Sequence, residues 1–219
     1  MIKKFHNRTQ AGRLLAQQLK PNYSDRADVL VLALPRGGVP VAYEIAQVLH
    51  TPLDLCMVRK LGVPGHEELA MGAIATGGTK IWNQNLLGSM NISSAEIAKV
   101  IAKEQRELQR RDRLYRGACL LPNLSERTVI IVDDGIATGS TLKAALSAIK
   151  QQQPKQIVVA VPVAPPDVCQ ELKLEVDEVF CLLTPECLHS ISLWYEDFSP
   201  TTDEQVRNLL AQNTNQFVP

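Results

Sequence analysis

Five short apolar runs rich in β-branched residues constrain this chain more than any other feature: Val29 to Leu34, Leu53 to Val58, Val129 to Val132, Ile157 to Val161 and Val179 to Leu183. Such runs show no polar alternation, so each reads as a strand buried on both faces, and a sheet of that kind needs helices above and below it. Segments with helix formers at helical spacing lie between them: Val39 to Leu49, Thr141 to Lys150 and Pro166 to Leu174. The alternation predicts an α/β domain with a mainly parallel central sheet flanked by helices, joined by right-handed crossovers.

Two segments depart from this rhythm. Leu69 to Ile74 and Lys80 to Trp82 read as short strands around a Thr76-Gly77-Gly78-Thr79 turn, and a long helix opens at Ser93-Ser94-Ala95-Glu96, which has capping-box spacing. That helix is expected to run to about Tyr115 and stop at Gly117. Its second half, Lys103 to Arg116, carries six basic and three acidic residues. It is either a solvated face with i,i+4 ion pairs or a surface for phosphate or a partner. At 219 residues the chain reads as a single domain over 1–219, with a core of about 29–183 and a hood drawn from about 1–28, 90–117 and 184–219.

The charge sum narrows the function classes. Lys and Arg number 23 against 23 Asp and Glu, so nothing draws the whole chain to nucleic acid or an anionic membrane, and any polyanion site must be local. No run approaches the roughly 18 apolar residues of a membrane span, and the first residues lack the apolar stretch of a signal peptide. Five scattered cysteines, an odd number with no CxxC pair, predict a reducing, cytoplasmic setting. Cys181, Cys187 and His189 match no zinc spacing.

The segment that carries chemistry runs from Thr128 to Leu142: a buried strand, Asp133 and Asp134 at its carboxyl end, then the small-residue loop Gly135-Ile136-Ala137-Thr138-Gly139-Ser140-Thr141 opening a helix. Ligands of open α/β sheets sit beyond the carboxyl ends of strands, and a helix N-terminus offers backbone N–H groups to an anion. Gly139 lets the backbone approach a phosphate, Thr138, Ser140 and Thr141 add hydroxyl donors, and Asp133 and Asp134 can accept from vicinal hydroxyls one sugar length away. Phosphate and diol together describe a ribose 5-phosphate.

Val129 to Thr141 resembles the phosphoribosyl-pyrophosphate (PRPP) motif of the type I phosphoribosyltransferases, with Gly135 standing where that family usually has an aliphatic residue. Leu32 to Pro40 is similar to the family's pyrophosphate loop: Gly37 and Gly38 allow a turn around a diphosphate, and Arg36 is a charged donor. Met57 to Glu68 is similar in position to the mobile catalytic loop, and the resemblance gives Arg59 and Lys60 the task of neutralising departing pyrophosphate. His66 could donate there too, or be an exposed histidine without a role. A P-loop reading of Gly72 to Lys80 fails because Gly78 stands where the lysine is required, and His66-Glu67-Glu68 lacks the second histidine of a zinc protease helix.

The resemblance implies that a nitrogenous base or related amine displaces Mg²⁺-bound pyrophosphate from C1 of PRPP, in a homodimer or higher homo-oligomer. Mg²⁺ would travel with PRPP, with no direct protein ligand and with water-mediated help from Asp133 and Asp134. Ala137 occupies the position where relatives acting on 6-oxopurines carry an aspartate base, which argues against hypoxanthine or guanine. In the hood, Trp194 or Tyr195 could stack on a heterocycle, or the Trp194 to Phe198 cluster could plug the core. That cluster is also similar to predicted phosphoribosyltransferases of unassigned substrate. A different class stays open: a PRPP-sensing regulator with little transferase activity, using the arginine-rich helix to meet a partner. A dinucleotide-binding enzyme is disfavoured because no GxGxxG follows a strand.

Overall fold

Val29, Val31, Val129, Ile130, Ile131, Val158 and Val159 are completely buried, as expected of strands covered on both faces. In the computed structural model, which describes residues 3–90, 92–117 and 122–217, the elements run α1 (Arg8–Tyr23), β1 (Val29–Ala33), α2 (Gly38–Leu49), β2 (Leu53–Leu55), β3 (Val58–Val63), β4 (His66–Ala75), β5 (Lys80–Trp82) and α3 (Gln84–Ser89). They continue with α4 (Ser94–Arg116), β6 (Thr128–Val132), α5 (Ser140–Lys150), β7 (Gln156–Val163), α6 (Pro166–Lys173), β8 (Glu178–Leu183), a 3₁₀ turn at Ile191–Trp194 and α7 (Asp203–Phe217). The chain packs as two compact units. One comprises Met1–Leu55, Leu124–Gly139 and Gln153–Pro219, the other Cys56–Asn123 and Ser140–Gln152.

The first unit is built on a five-stranded parallel sheet in the order β2-β1-β6-β7-β8. Strands β1 and β6 pair from Val29↔Thr128 to Ala33↔Val132, so their carboxyl ends finish side by side. The expected helices on Val39 to Leu49 and Pro166 to Leu174 are present within a residue. Edge strand β2 is capped from α7: Asn213 is almost fully buried, its Oδ1 accepts from Leu53 N at 2.7 Å and its Nδ2 donates to the Thr51 carbonyl at 3.3 Å. Asn213→Ala would strand buried backbone groups, so thermal unfolding should show a loss of about 1–3 kcal/mol.

At the amino end of β1, Arg26 donates to both oxygens of Asp28, with Thr128 and Lys155 adding further bonds. Arg26 above all holds the Asp28 carboxyl well below the usual carboxylate range. A depressed folded-state pKa contributes stability above the unfolded value of about 3.9, and that contribution is lost as pH falls towards the folded value. The melting-temperature gap between wild type and Asp28→Asn should therefore be largest at neutral pH and shrink below about pH 4; a gap that widens on acidification would contradict the pairing.

The second unit holds the antiparallel sheet β3-β4-β5. The apolar run Leu53 to Val58 is divided between the two sheets: β2 ends at Leu55, and Met57 is taken by the second unit, its carbonyl accepting from Thr76 N at 3.0 Å. The Gly/Pro-rich stretch after Arg59 and Lys60, expected as a loop, is instead a β-hairpin in which Val63 pairs with His66 across Pro64-Gly65. Pro64 presets one turn residue and Gly65 takes φ +77°, while Leu61 and Val63 alternate into the core. Helix α4 has its capping box at Ser93 and Glu96 and ends at Gly117. Arg110 and Arg111 pair with Glu107 as the solvated-face reading expects, whereas Arg116, paired with Asp112, has an almost fully buried side chain.

Candidate active site

Because β1 and β6 are neighbours, the turn after one and the loop after the other leave the sheet together. Leu34 N donates to the Val132 carbonyl at 2.8 Å, carrying the ladder one step past the strands. The chain then passes through a cis Pro35–Arg36 peptide, and Gly38 N returns to the Leu34 carbonyl at 3.1 Å. The two glycines are required by contact. A Cβ on Gly38 would lie 2.7 Å from the Val132 carbonyl oxygen and 2.9 Å from Asp133 Cα, and one on Gly37 would run into the Asp134 carboxylate, 2.6 Å from its Cγ. The pyrophosphate-like turn and the acid pair are thus pressed together without side chains between them.

Asp133 and Asp134 have different surroundings. Asp133 keeps partial exposure, and its Oδ1 accepts from Asp134 N at 2.8 Å. Desolvation pushes its carboxyl well above the usual range, and the charge of Asp134 adds to the rise. Asp134 is buried, and its Oδ2 is 2.8 Å from Arg8 Nε. Burial raises the Asp134 pKa while Arg8 opposes the rise. Arg8 also donates to the Ser199 carbonyl at 2.8 Å and lies 3.9 Å from the centroid of Phe198. Tyr195 donates its hydroxyl to the Asp134 carbonyl at 2.6 Å. Burial foremost keeps that hydroxyl protonated.

Beyond the acids the loop is pinned to the end of β7 by Ile136 N donating to the Val163 carbonyl at 2.8 Å. Gly135 is explained by space. A Cβ there would meet Ile191 Cγ2 at 2.6 Å and Val163 Cγ1 at 3.0 Å, so Ile191 fills the volume that a side chain at 135 would take. The absent aliphatic residue is supplied from the 3₁₀ turn, and the loop entry is packed. Ala137 and Thr138 are exposed, and Gly139 takes φ +71°, which a side chain disfavours. Ser140 and Thr141 follow as exposed residues in the first turn of α5.

Arg36 projects from the glycine turn, half exposed, 3.4 Å from Asp203 at the start of α7. In the second unit Arg59 is held by the nearly buried Glu104 of α4, with Nη2 2.6 Å and Nε 2.8 Å from Oε2, while Lys60 and His66 are exposed. Tyr195 is a core residue: its ring sits 5.4 Å from Phe5 and 5.0 Å from Phe198, leaving Trp194, half-buried, as the more accessible of the two. This plug is tied to the N-terminal segment by Phe5 N to the Trp194 carbonyl at 2.9 Å and Glu196 N to the Phe5 carbonyl at 2.8 Å. Arg8 and Ile191 had no signal of their own in the sequence. The one trace was Gly135, whose missing side chain leaves a volume that something else must fill.

The model for the phosphoribosyl transferase domain family matches residues 1–186. The chain belongs to that family. Phosphoribosyl transferase relatives include Rv0571c and MT0597 of two Mycobacterium tuberculosis strains, both provisionally named phosphoribosyl transferases, each 44% identical over 217 residues. That match covers 99% of this chain and 48% of theirs, so the chain spans about half the length of the curated relatives it matches. The crystal structure of TT1426 from Thermus thermophilus superposes with a TM-score of 0.84 at 38% identity, covering 95% of this chain and 98% of that one. Among the described residues no helix is long and apolar enough to cross a membrane, and no three His, Cys, Asp or Glu gather to hold a metal.

Proposed function

We propose that the chain transfers the 5-phosphoribosyl group of PRPP to a nitrogenous base or related amine, releasing pyrophosphate. The observation that carries this reading is the contact of the Gly37-Gly38 turn with Asp133 and Asp134 at the ends of two adjacent parallel strands. A bare turn for a diphosphate beside a carboxyl for a diol fits a molecule bearing both on one ribose. In this reading Thr138 to Thr141 receive the 5-phosphate through backbone N–H groups and hydroxyls, and the partly exposed Asp133 accepts from the ribose hydroxyls. Arg36 and the Gly37-Gly38 turn, which Gly38 closes by donating its N–H to the Leu34 carbonyl, receive pyrophosphate, and the resemblance adds Arg59 and Lys60 as cations for the leaving group.

The C1–O bond to pyrophosphate breaks as the C1–N bond forms, and the departing electron pair ends on pyrophosphate oxygen. The chain's contribution is positioning and electrostatic stabilisation of that charge, with no covalent nucleophile. Mg²⁺ bound by pyrophosphate would supply further neutralisation, with Asp133 placed to meet it through water. A reducing, cytoplasmic setting belongs to this reading through the odd number of scattered cysteines in the sequence. Cys119 lies outside the described residues.

The test is pyrophosphate release from PRPP and Mg²⁺ across a panel of bases and amines, with elution mass reporting the expected homodimer or larger oligomer. Release that depends on one acceptor class is the expected result. PRPP binding with no release for any acceptor would replace the transferase by the PRPP-sensing alternative, and failure to bind PRPP would overturn both.

A further inference from the structure

Arg8 sits in a costly place. As the first residue of α1 it brings a cation to a helix N-terminus, where the helix dipole disfavours positive charge. Its side chain is 11% exposed and that of Asp134 13%, so each charge would be expensive to leave without the other. The fixed surroundings of the pair are equally specific: the Phe198 ring 3.9 Å from the guanidinium, the Ser199 carbonyl on Nη1, and the Tyr195 hydroxyl on the Asp134 carbonyl. The partner of this cation is one of the two carboxylates that the motif would turn towards ribose.

The geometry points to a division of labour within the acid pair: Asp134 is the internal partner of Arg8, Asp133 is the single carboxyl offered to the ribose diol, and Arg8 is a positioning residue that acts through Asp134. Without Arg8 the Asp134 carboxylate would lie uncompensated beside Asp133 and against Gly37, repelling the carboxyl that accepts the sugar and disturbing the turn that receives the diphosphate. The loop itself has other anchors, namely Ile136 on Val163, Ile191 over Gly135 and the Tyr195 hydroxyl on the Asp134 backbone. Removing the two charges together should therefore leave it in place. This refinement rests on the PRPP reading above.

The experiment compares PRPP affinity and melting temperature in wild type, Arg8→Met, Arg8→Lys, Asp134→Asn and the double variant Arg8→Met/Asp134→Asn. Arg8→Met should raise Kd for PRPP at least about tenfold. Arg8→Lys should fall between it and wild type because it keeps the charge but loses the planar fork over Phe198. The double variant should return to within about threefold of wild type and melt above either neutralised single variant. A double variant that still binds PRPP at least about tenfold more weakly than wild type would make Asp134 itself a sugar contact. A lower melting temperature with unchanged Kd in Arg8→Met would reduce Arg8 to packing, and either result overturns the proposal. If wild type does not bind PRPP, the functional reading falls, and the melting-temperature cycle alone decides whether Arg8 and Asp134 are coupled.

Discussion

Asp133→Asn is expected to weaken PRPP binding by at least about tenfold while raising the melting temperature, two changes of opposite sign from one substitution. The loss follows from chemistry: a carboxylate accepts from both hydroxyls of a diol through charge-assisted bonds of about 1.5–3 kcal/mol each, whereas the amide turns a donor towards one of them. The gain follows from electrostatics. Burial and the charge of Asp134 both raise the Asp133 pKa, so at neutral pH the folded state bears a cost for ionising it that the unfolded chain does not. Asparagine removes that cost and can still accept from Asp134 N with its oxygen. The stability difference should be greatest at neutral pH and vanish on acidification through the unfolded carboxylate range. Titration calorimetry and thermal melts on one preparation check both signs; a variant that binds PRPP normally would remove Asp133 from the site.

Gly38→Ala should have the other large effect. The added methyl would meet backbone on both contacts, the Val132 carbonyl and Asp133 Cα, so no side chain can rotate away to make room. The turn must lift from the end of β6, with an overpacking cost of about 1–3 kcal/mol. Lifting it also moves the Gly37-Gly38 turn away from the acid pair, so PRPP affinity should drop by more than the stability change alone explains. Gly65→Ala is the control for a glycine as such: its Cβ would meet nothing within 4 Å, although its φ of +77° makes alanine strained there. It should cost stability with little change in Kd. Equal effects on Kd from both substitutions would contradict the contact argument.

Strand positions were legible in β1, β6 and β7 because two-face burial leaves a continuous β-branched run, and these strands, with the half-buried edge strand β8, agree with the sequence reading within about two residues at either end. The helix from Ser93 was legible because its cap is local, with both partners three residues apart. The β3–β4 hairpin was not: Gly62, Pro64 and Gly65 look like a loop, and only the pairing of Val63 with His66 makes them a turn between strands. The glycine turn and the acid loop could each be read alone, but their contact depends on β1 and β6 being neighbours. Arg8 and Asp134 are 126 positions apart, and Ile191 reaches Gly135 from the far side of two strands in sequence, so no periodicity or spacing joins them. The fate of Tyr195 was likewise set by partners outside its own cluster, Phe5 and the Asp134 carbonyl.

PRPP binding to the wild-type chain in the presence of Mg²⁺, followed by titration calorimetry, tests the central claim most directly. The expected result is saturable binding of one PRPP per chain that Asp133→Asn and Gly38→Ala each weaken at least about tenfold. Absence of saturable binding, or binding that neither substitution alters, would contradict a PRPP site where the Gly37-Gly38 turn meets the acid pair.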